Sequence, residues 1–305
     1  MLRVFTSFSG YDSQCMALDR LGIDYELVGW SEIDKYAIQA HNAVYPQWAD
    51  RNFGDISKID WAQVPDFDLF TYSSPCQDFS QAGLQRGGEK GSGTRSSLLW
   101  ECQKAIDAKR PKYCLMENVA ALVSGKFIRL FNRWQLTLES MGYKNFAQVL
   151  NAKDYGVPQN RERIFLVSIH DADARFEFPK AIKLERRLKD VLETNVDERY
   201  YLSNSVIDNF NAHKERNAAK GNGFGWNPTD GDVVGNAVLT SNLRPADNYL
   251  IDNQGGGDNE TNTDKHGPER HGKLHKGQLL QGRQSQLSRP HSRRNESNRC
   301  KSIAE

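Results

Sequence analysis

Residues 2–22 have the sequence LRVFTSFSGYDSQCMALDRLG, and this stretch decides the fold class. Its first part, Leu2–Phe8, is an apolar run rich in residues that favour strands. Gly10 then marks a tight turn, Asp12–Leu21 has apolar residues at helical spacing, and Gly22 ends the helix. A strand, a turn and a helix in this order predict the first unit of an α/β fold.

The same alternation continues through the first 170 residues. Further strand-like runs and helical patterns are Tyr25–Trp30, Asp68–Tyr72, Leu98–Ala108, Tyr113–Met116, Phe127–Met141 and Arg163–Ile169. They predict a parallel, Rossmann-like sheet. The periodicity weakens from Phe178-Pro179 onward, and no aromatic residue follows Tyr249. We therefore predict one domain at 1–178, a smaller region at 179–258, and a basic tail at 259–305 that is too polar to fold.

Composition excludes several classes of protein. The chain is 38% hydrophobic and 26% charged, as globular proteins are. Apolar runs such as Ile164–Ile169 are far shorter than the roughly 20 residues that cross a bilayer, and no apolar leader begins the chain. We therefore expect a cytoplasmic protein without a membrane partner. Five cysteines, with no C-x-x-C pair, indicate neither a disulfide framework nor a zinc site, so no metal is expected.

The net charge of +1 conceals an uneven distribution. Residues 1–260 carry 30 Lys and Arg against 35 Asp and Glu, whereas residues 261–305 carry 10 against 4. Bulk charge therefore does not indicate a nucleic-acid partner, and any DNA contact must come from local basic clusters.

Four strand-like runs end in residues that can carry chemistry. Gly10 follows the first strand, Glu32 follows the second at the spacing of an acid that binds ribose, Cys76 follows the third in Ser-Pro-Cys-Gln, and Glu117 follows the fourth. Each residue taken alone has an ordinary structural explanation. These are a plain turn for Gly10, a solvated helix start for Glu32, a buried thiol for Cys76 and a helix cap for Glu117. Together they fall on the sheet edge where α/β folds bind ligands.

A thiol and a carboxyl group on one edge indicate covalent catalysis on an electron-poor ring. On cytosine, Cys76 would attack C6 while Glu117 holds N3 and the exocyclic amine, which makes C5 nucleophilic toward a methyl donor. Four segments, Phe5–Gly10, Ser74–Ser80, Met116–Val119 and Gly156–Arg163, resemble the DNA cytosine-5 methyltransferases in sequence, order and spacing. The resemblance is close to about residue 205 and looser to about residue 251.

This resemblance implies transfer of a methyl group from S-adenosylmethionine to a cytosine flipped out of double-stranded DNA. It implies a restriction-modification or self-protection role in a bacterium or phage, with a cognate restriction endonuclease as a partner. The implied catalytic residues are Cys76, Glu117, Arg161 and Arg163. The implied cofactor-binding residues are Phe8, Ser9, Gly10, Glu32, Ile33, Asp55, Ile56, Pro75 and Leu98. The implied DNA-binding residues are Gln77, Ser80, Arg86, Lys90 and Arg95.

The sequence departs from the family pattern toward its C-terminus. Residues 179–258 are similar to the beginning of a target-recognition region, but from Asn259 onward no family motif follows. Gly235-Asn236 superficially matches the pair that opens the family's final helix, yet it comes too early. We therefore expect a frameshift or truncation, or a second chain that supplies the missing segment, and reduced stability and activity.

Three other functions stay open at this stage. One is an inactive or partner-dependent DNA-binding remnant, and another is a tRNA cytosine-5 methyltransferase. A thiol hydrolase that uses Cys76 would need a histidine base, and only His41 and His170 lie in the catalytic half, outside any matching motif.

Overall fold

A computed structural model describes residues 1–75, 98–193, 196–197, 200–221, 226–238, 248–252 and 273–276. The chain divides into two compact units, residues 1–186 and residues 187–305. The domain boundary predicted after residue 178 and this division both fall in the segment that follows the last strand of the first unit. Within the described ranges, no helix is long and apolar enough to cross a membrane.

The helices are α1 (Ser13–Arg20), α2 (Lys35–Val44), α3 (Leu99–Lys109), α4 (Ile128–Ser140) and α5 (Asn204–Ala219). The strands are β1 (Leu2–Ser7), β2 (Tyr25–Ser31), β3 (Leu69–Tyr72), β4 (Tyr113–Val119), β5 (Lys144–Asn151), β6 (Gln159–Asn160), β7 (Glu162–Ile169), β8 (Gly235–Asn236), β9 (Tyr249–Asp252) and β10 (Lys273–Lys276). The five predicted strands and the three predicted helices of the first unit are confirmed within a few residues at their ends.

The first unit is built on a six-stranded sheet of order β2-β1-β3-β4-β7-β5. The strands β2, β1, β3 and β4 are parallel to one another, as the α/β pattern predicts. The predicted Rossmann-like α/β fold class is confirmed, although β7 runs antiparallel to both β4 and β5. The physical reason is that β5 and β7 are joined by a short connection, which can reverse the chain but cannot hold a crossover helix.

Sequence reasoning missed β5 and α2. Strand β5 is the outer strand of the sheet and exposes Lys144 and Gln148, so it lacks the apolar run of a central strand. Helix α2 begins at Asp34, whose carboxylate accepts the backbone N–H groups of Tyr36 and Ala37. This cap is visible in the sequence, but the helix that follows it has only a narrow apolar face.

Helices cover both faces of the sheet. On β1, Phe5 points into the larger apolar cluster, which includes residues of α3 and α4, whereas Val4 points into a second cluster with residues of α1 and α2. Tyr72 joins β3 to α4, because its hydroxyl accepts a hydrogen bond of 3.1 Å from the buried indole of Trp134. This packing leaves the carboxyl ends of the parallel strands free to carry a site.

In the second unit, α5 contributes Phe210 to an aromatic cluster with Trp226 and Tyr249. The strands β9 and β10 pair antiparallel, so residues 273–276 of the tail that was predicted not to fold form a strand.

Candidate active site

The loop after β1 contains three of the predicted cofactor-binding residues. Phe8 and Gly10 have left-handed backbones with φ of 55° and 57°, and Phe8 packs against the larger core cluster. Ser9 is 5% exposed, and its hydroxyl has no hydrogen-bond partner among the described residues. A buried polar group without a partner is costly, so this hydroxyl is suited to bind a ligand at the edge of the sheet.

Glu32 fixes this loop to the end of β2. One carboxylate oxygen accepts the N–H of Gly10 at 3.0 Å, and the other accepts the N–H groups of Ile33 and Asp34 at 2.8 and 2.9 Å. A carboxylate has about four acceptor positions. Three are occupied by the backbone, so Glu32 is held in one orientation and keeps capacity for a hydroxyl group such as that of a ribose.

Asn52 is a residue of this site that sequence reasoning missed. Its side chain binds both the N–H and the carbonyl oxygen of Glu32, at 3.2 and 3.1 Å, and it accepts the N–H of Gly54 at 2.9 Å. Asn52 therefore joins the segment Gly54–Ile56 to Glu32. Its place in the sequence, two residues before a Gly-Asp-Ile segment, gives no signal without the fold.

Three further predicted cofactor-binding residues, Asp55, Ile56 and Ile33, differ in their surroundings. Asp55 accepts hydrogen bonds from the backbone and hydroxyl of Ser57, and these bonds, with a smaller contribution from Lys58, lower the pKa of Asp55. Ile56 is 4% exposed and lies in the larger core cluster, whereas Ile33 is 71% exposed. The exposed side chain of Ile33 can therefore contact a ligand directly, whereas the buried side chain of Ile56 anchors its segment to the core.

A second group of residues lies at the ends of β3 and β4. The buried side chain of Asn118 donates hydrogen bonds to the carbonyl oxygen of Ser74 at 3.1 Å and to its hydroxyl at 3.4 Å. Pro75 follows Ser74 and is half-buried, and Leu98, just before α3, packs against the core. The peptide that leads toward Cys76 is therefore tied to the residue next to Glu117.

Glu117 forms an ion pair that the sequence did not predict. Nε of Arg163 lies 2.9 Å from a carboxylate oxygen of Glu117, and both side chains are about one quarter exposed. Arg163 also donates to the carbonyl oxygen of Glu162 at 2.7 Å, which fixes its guanidinium. Arg161 is half-buried, and its backbone N–H binds the side chain of Asn151. The ion pair with Arg163 therefore holds the side chain of Glu117 in place.

Six predicted site residues lie outside the described residues. They are the nucleophile Cys76 and the DNA-binding candidates Gln77, Ser80, Arg86, Lys90 and Arg95. In the part of the chain that the structure describes, no group of three or more His, Cys, Asp or Glu side chains could hold a metal ion.

The fold places the chain in a known structural class. The chain has the fold of the Dnmt2 methyltransferase of S. pombe, with a TM-score of 0.65 and 20% sequence identity over 84% of this chain and 78% of that one. The likeness shows that this chain shares the mixed α/β fold of that methyltransferase, with a mostly parallel central sheet.

The family is narrower than this class. The family model for C-5 cytosine-specific DNA methylase matches residues 2–298, and the chain belongs to this family. It is 40% identical to the type II methyltransferase M2.ScrFI of Lactococcus lactis subsp. cremoris, over 68% of this chain and 72% of that protein. It is 36% identical to the type II methyltransferase M.NlaX of Neisseria lactamica, over 74% of this chain and 71% of that protein. The resemblance seen in the motifs is confirmed.

Proposed function

We propose that this chain transfers a methyl group to C5 of a flipped-out cytosine in double-stranded DNA through a covalent bond between Cys76 and C6. The observation that carries the proposal is the pairing of Glu117 with Arg163 beside the contact between Asn118 and Ser74. These contacts fix the acid and the peptide two residues before Cys76 on adjacent strands. The proposed mechanism requires the Cys76 thiol near this carboxyl group and uses no histidine base.

The residues along the carboxyl edge suit the cofactor. Glu32 would accept a ribose hydroxyl, the buried hydroxyl of Ser9 would bind a polar group of the ligand, and Ile33 would cover an apolar face of the adenine. Phe8, Gly10, Asp55, Ile56, Pro75 and Leu98 would complete the pocket. S-adenosylmethionine, when bound, supplies an electrophilic methyl group.

The chain's own residues would prepare the cytosine. The Cys76 thiolate forms a bond to C6 while Glu117 protonates N3, so the electrons of the C5–C6 double bond become available at C5. After C5 has been methylated, its proton passes to solvent, and the electron pair left behind restores the C5–C6 double bond and expels the thiolate. N3 returns its proton to Glu117 in the same step. Arg163 would hold the Glu117 carboxyl group toward the ring throughout.

The cytosine must leave the duplex, since stacking covers its C6 face. The sequence after the nucleophile contains five residues whose hydrogen-bond donors or positive charges suit phosphate contacts. They are Gln77, Ser80, Arg86, Lys90 and Arg95. The relatives named above are type II methyltransferases. We therefore place the activity in restriction-modification or self-protection, where a cognate endonuclease would be the partner.

The test is a covalent trap on DNA that contains 5-fluorocytosine. Because the recognition sequence is unknown, the probe is a long duplex synthesised with the fluorinated nucleotide in place of cytosine, so that it holds every short site. With S-adenosylmethionine, fluorine at C5 blocks the elimination, and we expect a protein–DNA adduct that survives denaturing electrophoresis.

The controls separate the roles of the residues. Cys76→Ser should abolish the adduct and Glu117→Gln should slow its formation by about 100-fold or more, as loss of a general acid does. Cys300→Ser, which changes another cysteine, should leave it intact. An adduct that persists in Cys76→Ser, or a folded protein that methylates DNA without Cys76, would refute the mechanism.

A further inference from the structure

The loop after β1 is held in an unusual backbone conformation. Phe8, Gly10 and Asp12 have φ of 55°, 57° and 65°, so alternate residues are left-handed and two of the three are not glycine. Non-glycine residues in this region are uncommon, and their backbone is strained. A strained loop of this kind persists only where the surrounding residues fix it.

Asp12 supplies contacts that can fix the loop from behind. Its side chain is fully buried, and Oδ2 accepts a hydrogen bond of 2.9 Å from the hydroxyl of Thr6 on β1. The Asp12 N–H donates to the carbonyl oxygen of Ser9 at 2.8 Å, which closes the turn. The Cys15 thiol lies beside the same carboxylate; burial first, and then Asp12, raise the pKa of this thiol, so it stays protonated.

The partner of Asp12 on the neighbouring helix is His41 of α2. Its Nε2 lies 3.4 Å from Asp12 Oδ2, and its side chain is fully buried. The imidazole stacks on Trp30 of β2 at 3.7 Å, and the Trp30 indole is itself fixed by a hydrogen bond of 2.9 Å to the carbonyl oxygen of Trp48. Burying a polar pair of this kind costs desolvation free energy. An apolar pair of similar volume would therefore stabilise the fold equally well.

We infer that Asp12 and His41 form a positioning pair that holds the loop Phe8–Asp12 in the conformation that accepts the cofactor. Two groups of contacts then fix the loop. Glu32 accepts the Gly10 N–H at one end, and Asp12 contacts Thr6 and His41 at the other end of the turn. Neither residue would touch the cofactor. This inference rests on the proposed function, because it needs S-adenosylmethionine at this loop.

Three conservative variants remove the contacts one at a time. Asp12→Asn keeps the size of the side chain and tolerates a left-handed backbone, Thr6→Val keeps the volume without the hydroxyl, and His41→Phe keeps an aromatic ring on Trp30. Binding of S-adenosylhomocysteine is measured by calorimetry, and KM and kcat are measured with tritiated cofactor and a long duplex. Leu27→Ala, a change in the same buried cluster at the middle of β2, is the matched control.

We expect each of the three variants to raise the Kd and the cofactor KM by roughly tenfold, because each removes one contact that fixes the loop, while kcat at saturation changes less than about twofold. The double variant Asp12→Asn/His41→Phe should be little worse than either single variant, because the two residues act as one unit. Leu27→Ala should lower the melting temperature and leave the Kd unchanged.

Other outcomes overturn the inference in distinguishable ways. If the folded variants bind with wild-type affinity, or if Leu27→Ala weakens binding as much as they do, the pair is merely structural and the proposed function stands. If the wild-type protein does not bind S-adenosylhomocysteine at all, the proposed cofactor site fails and this inference fails with it.

Discussion

Glu32 illustrates how a single side chain prepares a site before its ligand arrives. Three backbone N–H groups and Asn52 hold the residue, so its carboxylate loses little freedom when it accepts a further hydrogen bond. Preorganised groups of this kind contribute more to binding than mobile ones, because the ordering cost has already been met during folding. At the scale of a residue, cofactor affinity should therefore depend on the geometry of this carboxylate.

The variant Glu32→Gln tests this dependence. An amide has one acceptor oxygen, so it cannot accept from Gly10 on one side and from Ile33 and Asp34 on the other. We expect the Kd of S-adenosylhomocysteine to rise by about tenfold or more, measured by calorimetry. Glu26→Gln is the matched control. Glu26 lies at the start of β2, the strand that leads to Glu32, and its carboxylate pairs with Arg51 at 2.8 Å. Equal effects of the two changes would contradict a specific role for Glu32.

At the scale of elements, the reversal of β7 determines the composition of the site. In the antiparallel register, Val119 lies opposite Arg163 and Glu117 lies opposite Phe165. Glu117 and Arg163 therefore share one face and are diagonal neighbours, within reach of long side chains. A parallel β7 would place the other end of this strand beside Glu117, and the ion pair could not form.

The contact between β3 and α4 gives a prediction about stability. In Tyr72→Phe, the buried indole N–H of Trp134 loses its acceptor, so we expect the free energy of unfolding to fall by about 1–3 kcal/mol. Tyr155→Phe is the control, because its hydroxyl binds the carbonyl oxygen of Pro179 where water can replace it. Urea unfolding, followed by circular dichroism, measures both. A loss in Tyr72→Phe no larger than in Tyr155→Phe would show that the buried contact contributes little.

At the scale of the whole molecule, buried ionisable groups set the alkaline limit of stability. Burial raises the pKa of the thiols of Cys15, Cys102 and Cys114 and of the Tyr72 phenol. Each group is neutral in both states at low pH. Above its ordinary pKa, only the unfolded chain loses the proton, so the contribution to stability is complete below that pKa and disappears as the pH rises toward the raised value of the folded state.

The free energy of unfolding should therefore decline above about pH 8.5, where free thiols ionise, and more steeply above about pH 10, where tyrosines follow. The slope is about 1.4 kcal/mol per pH unit for each buried thiol. Tryptophan fluorescence reports the first unit, which holds five of the six tryptophans. Cys102→Ala removes one titrating thiol. The decline of the free energy of unfolding with pH should therefore become shallower by about 1.4 kcal/mol per pH unit. A urea midpoint unchanged between pH 7.5 and 10 would refute the prediction.

The sequence by itself determined the class of fold and the family, and it predicted the residues of the candidate site. Apolar runs and helical periods are local properties of the chain, and they located β1, β2, β3, β4 and β7. The motifs around Gly10, Cys76, Glu117 and Arg163 determined the family, which the comparison confirms. The roles of the individual site residues stay predictions, because they depend on a ligand and on the segment 76–97.

Tertiary structure alone decided the contacts that join these residues. These contacts link residues that are far apart in the chain. They are the antiparallel pairing of β7, the hydrogen bonds of Asn52 to Glu32, the Glu117–Arg163 pair and the Asp12–His41 pair. A local pattern states which face a residue prefers but not which residue lies opposite, since that depends on strand order and register. The family was therefore readable from the sequence, whereas the contacts that join its motif residues were not.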